Sequence, residues 1–173
     1  NCTARATPST IKKQLDSAVP VIVYVSPDGA RAASAGVWIG QAADILAMAP
    51  QTNIGSSTPV AVGGADIPKD LKRKVVNDAV SSLTALAKEH GRNTEWPAEA
   101  VRQGANLTAR EALELGVIDL IAPDLPTLLD RHVADSLFAA AHCADVRTVA
   151  DLGSGAGLPG LVIAIVRPGT RVT

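Results

Sequence analysis

Aromatic residues are almost absent from this chain of 173 residues, which has two tryptophans, one tyrosine and one phenylalanine. A core with so few rings must be built from Ala, Val, Leu and Ile. Cysteine is also scarce, because Cys2 and Cys143 are the only two, and they lie far apart without CxxC spacing. This argues against a disulfide framework and against a structural zinc site, so we expect no metal.

The chain also lacks a large excess of either charge and lacks long apolar runs. The formal net charge is −1, so the chain has no basic field to recruit nucleic acid, and no nucleic-acid partner is expected. No apolar run reaches the roughly 18–20 residues that cross a bilayer, and residues 1–5 lack an apolar signal core. We therefore expect a soluble chain. The 47% of hydrophobic residues is sufficient for a folded core.

Strand-like and helix-like segments alternate along the chain, which predicts an α/β fold. The first strand-like run is short and apolar enough to be buried on both faces. Residues 50–68 are rich in Gly, Ser, Thr, Pro and Asn and are predicted to form a long loop. Thr108 and Glu111 have the spacing of a capping box, and Gly116 that of a C-terminal cap. Strands are predicted over 19–25, 45–49, 117–121 and 147–152, and helices over 9–17, 34–43, 70–89, 97–103, 108–115, 125–141 and 161–166.

A turn of small residues follows the first predicted strand and carries Ser34, in the motif Ala33-Ser34-Ala35-Gly36. A serine between a buried strand and a helix can be presented as a nucleophile, and backbone N–H groups at the helix start can stabilise an oxyanion. The alternative role of such a serine is packing or helix capping.

A serine nucleophile needs a base, and no pattern places His90, His132 or His142 near the Ser34 turn. A lysine can replace histidine where burial favours the uncharged amine. On the predicted helix 70–89, Lys74 lies one turn after Leu71, at the edge of the apolar stripe. Its alternative role is that of a solvated surface lysine.

Several separate motifs resemble, in the same order, the NfeD-type membrane-associated serine proteases. The resemblance covers about residues 9–129 and implies an α/β domain of the ClpP/crotonase-like type. This chain departs from the family pattern in two ways. The family's Thr-Pro-Gly-Gly segment is replaced here by residues 2–9, and the family's first strand and helix are absent because the given chain starts after them. We therefore expect a truncated and impaired enzyme, since one lost oxyanion donor costs about 10²–10³ in rate. The matching motifs span residues 19–36, 47–55, 74–79, 91–93 and 107–121.

The resemblance implies a serine endopeptidase that works through an acyl-enzyme, with Ser34 as nucleophile and Lys74 as general base. It also implies a peptide or membrane-protein substrate, no cofactor, a homo-oligomer, and a membrane-associated or extracytoplasmic parent protein. The residues implied in oxyanion stabilisation and in the substrate groove are Ala35, Gly36, Asn53, Ile54 and Gly55.

The last forty or so residues carry a different signal, a strand followed by the glycine-rich turn of residues 151–160. With residues 131–136 upstream, this segment resembles the RsmG/GidB family of ribosomal RNA guanine methyltransferases over 131–173. The resemblance implies a partial Rossmann-like fragment and a site for S-adenosylmethionine. In such folds an acidic residue at the end of the next strand holds the cofactor's ribose, and that strand is only beginning at residue 171. We therefore expect no complete methyltransferase. The alternative role of the glycine-rich turn is to pack a strand against a helix. The implied cofactor residues are Asp151, Gly153, Ser154, Gly155 and Gly157.

The sequence thus predicts two parts, a protease-like domain over 1–130 and a methyltransferase-like fragment over 131–173. A natural fusion, a gene-assembly error and an artificial recombinant would all give this arrangement. The favoured function is peptide-bond hydrolysis by a Ser–Lys dyad. Three alternatives stay open: a methyltransferase fragment, a catalytically silent assembly module, and crotonase-like acyl-CoA chemistry.

Overall fold

The computed structural model describes residues 7–59, 68–142, 147–149, 163, 167 and 169–172. The chain divides into two compact units, Asn1–Ile121 and Ala122–Thr173. No helix among the described residues is long and apolar enough to span a membrane.

The first unit contains two small sheets and the helices that pack on them. The helices are α1 (Thr7–Leu15), α2 (Ala35–Gln41), α3 (Lys69–Glu89), α4 (Trp96–Arg102) and α5 (Ala109–Glu114). The strands are β1 (Ile22–Val25), β2 (Arg31–Ala33), β3 (Ile45–Met48), β4 (Asn53–Gly55), β5 (Asn106–Thr108) and β6 (Leu120–Ile121). One sheet is parallel with the order β1–β3–β6; the other has the order β2–β4–β5, with β2 parallel and β5 antiparallel to β4.

The core of this unit is aliphatic, as the composition requires. All four residues of β3 are buried because this strand pairs on both sides, with β1 and with β6. On the helices, Leu83 of α3 and Val101 of α4 are fully buried in the same cluster. Trp96 is the one aromatic residue among the buried members of that cluster.

Two strand predictions and one loop prediction need correction. The first strand was expected to be buried on both faces, but β1 is an edge strand in which three of four residues are only half-buried. The predicted loop 50–68 contains β4, which is held between β2 and β5 by backbone hydrogen bonds, while residues 60–67 lie outside the described part. The predicted strand 117–121 is reduced to β6.

The helix predictions agree with the structure more closely than the strand predictions do. Helix α3 begins one residue before the predicted start and ends where predicted. The capping box is present, since the Thr108 hydroxyl accepts from the Glu111 N–H and the Glu111 carboxylate accepts from the Thr108 N–H at 2.8 Å. Gly116 follows α5 with φ +68°, the left-handed conformation that ends helices.

A buried guanidinium fixes the C-terminal end of α2. Arg92 is 5% exposed and forms an ion pair with Asp119 at 2.6 Å. Asp119 also accepts a hydrogen bond from the Leu46 N–H, so this network ties β3 to the end of α2. The remaining guanidinium hydrogen bonds go to the backbone carbonyls of Gly40, Gln41, Ala43 and Asp44.

The second unit begins with the helix predicted over 125–141, which has three parts: α6 (Leu125–Thr127), a π-helical segment (Leu128–Ala134) and α7 (Asp135–His142). The predicted strand 147–152 is described only as β7 (Thr148–Val149), which pairs in parallel with β8 (Arg171–Val172). The predicted glycine-rich turn and, apart from Ile163, the predicted helix 161–166 lie outside the described residues.

Candidate active site

Ser34 lies at the junction between β2 and α2, where the chain turns sharply from strand to helix. Its backbone has φ 51° and ψ −115°, a conformation that residues with a Cβ rarely adopt. The Ser34 N–H donates to the Ser56 carbonyl at 3.2 Å, which secures the turn to the segment after β4. A serine held on a strained strand-to-helix turn is a known way to expose a nucleophilic hydroxyl.

The Ser34 hydroxyl is exposed and has no hydrogen-bond partner within the described part of the chain. It does not cap α2, so the capping role considered from the sequence is not what this side chain does. The next two backbone N–H groups, of Ala35 and Gly36, also lack an acceptor among the described residues. A free hydroxyl beside two free N–H groups is what nucleophilic attack and oxyanion stabilisation require.

A cavity of about 870 Å³ opens at Ser34, between α1, α2 and α3 of the first unit. Its walls are mostly apolar, as expected for a site that takes an apolar ligand group. The lining residues are Pro8, Ile11, Lys12 and Leu15 from α1 with Asp16 just after it, then Ser34, Ala35 and Trp38, and finally Ser82, Ala85 and Leu86 from α3.

One wall of the cavity is held by a buried hydroxyl that the sequence analysis does not select. The indole N–H of Trp38 donates to Ser57 Oγ at 2.7 Å. Ser57 is 5% exposed, and its hydroxyl makes a longer contact of 3.5 Å with the Ser34 carbonyl. Ser57 therefore contacts both the cavity wall and the backbone of the candidate nucleophile.

Lys74, the predicted base, lies in the second turn of α3 and is exposed. It is not among the residues that line the cavity, and its side chain has no ion pair or hydrogen bond within the described part of the chain. The structure therefore does not bring the Lys74 amine and the Ser34 hydroxyl into contact.

Another lysine, Lys12, does line the cavity, and the sequence did not single it out. Its amine forms an exposed ion pair with Asp16 at 2.5 Å. The hydrogen bond to Asp16 and the charge of that carboxylate raise the pKa of Lys12. A lysine held in its charged form is a poor general base. His90 does not line the cavity either, and burial lowers its pKa, with the nearby Arg92 charge acting in the same direction.

The three residues predicted in the substrate groove form β4, and none of them lines the cavity. Ile54 is fully buried in the core. Gly55 has φ +150° and lies so close to the Ala105 carbonyl that an added Cβ would be 2.1 Å from its oxygen. These residues support the Ser34 turn from the sheet. The predicted cofactor residues Asp151, Gly153, Ser154, Gly155 and Gly157 lie outside the described residues.

Comparison with known proteins gives two sets of relatives for the two parts of the chain. The chain is 37% identical over 131 residues to the membrane-bound protease PH1510 of Pyrococcus horikoshii, which covers 74% of this chain and 29% of the relative. The family model for rRNA small subunit methyltransferase G (GidB) matches residues 116–173. The methyltransferase G of a Nocardioides species is 54% identical over 55 residues, which covers 31% of this chain and 22% of the relative.

Solved structures give the same result for the first part. A membrane-bound stomatin-specific protease, 1510-N, matches with a TM-score of 0.67 and 35% identity, covering 75% of this chain and 63% of that one. That structure is of a serine-to-alanine variant, and a lysine-to-alanine variant in complex with a substrate peptide has the same TM-score of 0.67.

The predicted resemblances to a membrane-associated protease and, at the C-terminal end, to GidB are both confirmed. The described fold is mixed α/β and is similar to that of the solved protease. The chain spans less than a third of the length of either curated relative named here, at 29% and 22%.

Proposed function

We propose that this chain carries a serine endopeptidase site of the ClpP/crotonase-like type, with Ser34 as nucleophile and Lys74 as general base. The observation that carries the proposal is the Ser34 turn. It presents an exposed hydroxyl without a partner among the described residues, next to two free N–H groups, at an apolar cavity.

The similar protease supports the choice of these two residues. The serine and the lysine replaced in its variants are separated by almost the same number of residues as Ser34 and Lys74. The second of those structures holds a substrate peptide, which supports a peptide as the substrate here as well. The matched region includes a cavity rather than a flat surface at the serine.

The helical period supports Lys74 further. On α3 the residues Lys74 and Ala85 are eleven positions apart, which places them within roughly 20° of each other around the axis. Ala85 lines the cavity, so Lys74 lies three turns earlier on the side of α3 that faces it.

In the proposed reaction the Ser34 oxygen attacks the peptide carbonyl carbon while its proton passes to the side-chain amine of Lys74. The carbonyl oxygen becomes an oxyanion and accepts hydrogen bonds from the N–H groups of Ala35 and Gly36. The C–N bond then breaks, and the Lys74 ammonium returns the proton to the leaving amine. Water attacks the resulting ester with Lys74 again taking the proton, which finally goes to the departing Ser34 oxygen.

Active-site labelling tests this proposal directly. A fluorophosphonate should form one adduct per folded chain, located on Ser34 by peptide mapping, and Ser34→Ala should abolish it. Lys74→Ala should slow labelling by about 10²-fold or more, whereas Lys88→Ala, on the same helix and also exposed, should not. A folded chain without an adduct on Ser34 would refute the protease and favour the silent assembly module.

The two-part division, 1–130 and 131–173, and a homo-oligomeric state are also proposals. The compact units divide at Ile121, and the GidB match begins at residue 116, so the exact boundary differs with the criterion. Limited proteolysis followed by mass spectrometry would locate the boundary, and light scattering would give the mass in solution.

The methyltransferase fragment is the second candidate function, favoured by the family match over residues 116–173 and by the parallel β7–β8 pair. The residues that would hold S-adenosylmethionine are outside the described part, so we derive no chemistry from them. Calorimetric titration with S-adenosylmethionine tests this candidate. Binding that is lost in Asp151→Ala would support it, and absence of heat would end it.

A further inference from the structure

The apolar wall that α3 gives to the cavity continues beyond the cavity. Leu71, Val75, Ser82 and Leu86 are spaced by four, seven and four residues, so they lie along one side of the helix. Ser82 and Leu86 line the cavity. Leu71 and Val75 lie further towards the N-terminus and are 51% and 38% exposed.

These two exposed side chains are not needed for the packing of α3. The core face of the helix is formed by Ala79, Leu83 and Ala87, which are buried, and it lies on a different side from Leu71. The first turns also carry the exposed cations Lys69, Lys72, Arg73 and Lys74, so two aliphatic side chains stand within a charged surface. Scattered exposed apolar residues are common on protein surfaces, and what marks this pair is its place on the side of α3 that also lines the cavity.

The dimensions fit an extended peptide. Leu71 and Val75 are four residues apart, about 6 Å along the helix axis, and alternate side chains of an extended peptide are about 6.7 Å apart. The whole stripe from Leu71 to Leu86 is about 22 Å long, the length of six or seven extended residues. The exposed carboxylate of Asp78 lies between its two halves, so a polar or basic peptide residue fits there.

We propose that Leu71 and Val75 form an outer part of the peptide-binding surface, which takes two apolar side chains of an extended substrate at alternating positions. The surface lies on the side of α3 that also lines the cavity, with Asp78 between the two, and Lys74 is within one turn of both side chains. A peptide bound there would also cover part of the helix surface around Lys74. A second copy of the chain is a less suitable occupant, since two side chains supply little of the about 800 Å² per partner of a stable interface. This inference rests on the proposed function.

The first test measures binding without catalysis. In the Ser34→Ala background, a fluorescent seven-residue peptide with apolar residues at alternating positions is titrated by anisotropy, beside a four-residue peptide that fills only the cavity. Leu71→Ser and Val75→Ser should each weaken binding of the long peptide by about tenfold and leave the short one unchanged. Leu115→Ser is the matched control, because Leu115 is 49% exposed and lies on another element.

The outcomes separate this inference from the function on which it rests. Labelling of Ser34 together with unchanged long-peptide binding in both variants would refute the outer surface alone. Absence of labelling would refute the protease, while selective loss of long-peptide binding would still support the surface. If light scattering shows that Leu71→Ser instead dissociates an oligomer, the occupant is a second copy and the inference is wrong.

Discussion

Replacing Ser34 by glycine should stabilise the fold while it removes the proposed nucleophile. Ser34 has φ 51° and ψ −115°, and a residue with a Cβ held in such a conformation stores about 1–3 kcal/mol. Glycine adopts positive φ freely, but it adds about 0.5–1 kcal/mol of conformational entropy to the unfolded chain. The net expectation for Ser34→Gly is a gain of up to about 2.5 kcal/mol in the free energy of unfolding, centred near 1 kcal/mol.

The matched control is Ser34→Ala, which keeps the Cβ and therefore the strain. The hydroxyl that alanine lacks makes no hydrogen bond with any described residue, so this variant should unfold within about 0.5 kcal/mol of the parent. Urea unfolding followed by tryptophan fluorescence measures both, because Trp38 and Trp96 lie in the first unit and report on it. In thermal unfolding, a gain of 1 kcal/mol corresponds to roughly 2–4 °C for a chain of this length.

Two outcomes of this comparison would refute the reasoning. If the glycine variant is no more stable than the alanine variant, the Ser34 backbone is not strained. The resemblance of this turn to other strained nucleophile turns would then lose its physical basis. If both variants are destabilised by more than 1 kcal/mol, the hydroxyl has a packing role instead.

Three further predictions concern the support of the site. Arg92→Met should cost about 3–5 kcal/mol in urea unfolding, because it leaves the Asp119 carboxylate without its ion pair and the carbonyl of Ala43 without its guanidinium donor, and the double variant with Asp119→Leu should recover part of this loss. Gly55→Ala should lower soluble yield and melting temperature far more than an ordinary surface substitution, since the added Cβ meets backbone at 2.1 Å. The hydrogen bonds from Thr108 lower the pKa of Glu111 below its ordinary value of 4.5, so its contribution to stability is present at neutral pH. The stability difference between parent and Glu111→Ala should therefore shrink as pH falls below 4.5 and through the folded pKa.

The parts of the fold that follow from local pattern were predictable. Helix α3 has 21 residues with a continuous apolar face, and its limits were predicted to within one residue. Strands β2 and β4 have three residues each, too few for a periodic signal, and they exist because they pair with each other. The position of β1 at a sheet edge depends on strand order, which no local pattern records.

The residues of the site also divide into those that a local pattern predicts and those that only folding brings together. Ser34 was found because a turn of small residues after a strand is a local signal. Ser57 was missed because it reaches Trp38 only through folding, from 19 residues further along the chain. The sequence offered one hint, since Trp38 is one of two tryptophans and lies one helical turn after Ser34. Lys12 contributes to the cavity because α1 packs against α2, a contact that the spacing of Ile11 and Leu15 did not specify.

The exposure of Lys74 links the proposed chemistry to the outer peptide surface. Exclusion of water by a bound substrate strengthens the electrostatic interactions inside a reaction site. The exposed apolar side chains nearest to Lys74 in sequence are Leu71 and Val75, whereas Val76 packs against the core. A peptide that covers them would therefore exclude water from the helix surface around the proposed base at the moment of binding. The hydroxyl and its N–H groups are preformed on a rigid turn, whereas the proton acceptor depends on the substrate, and such an enzyme would select substrates by length as well as by sequence.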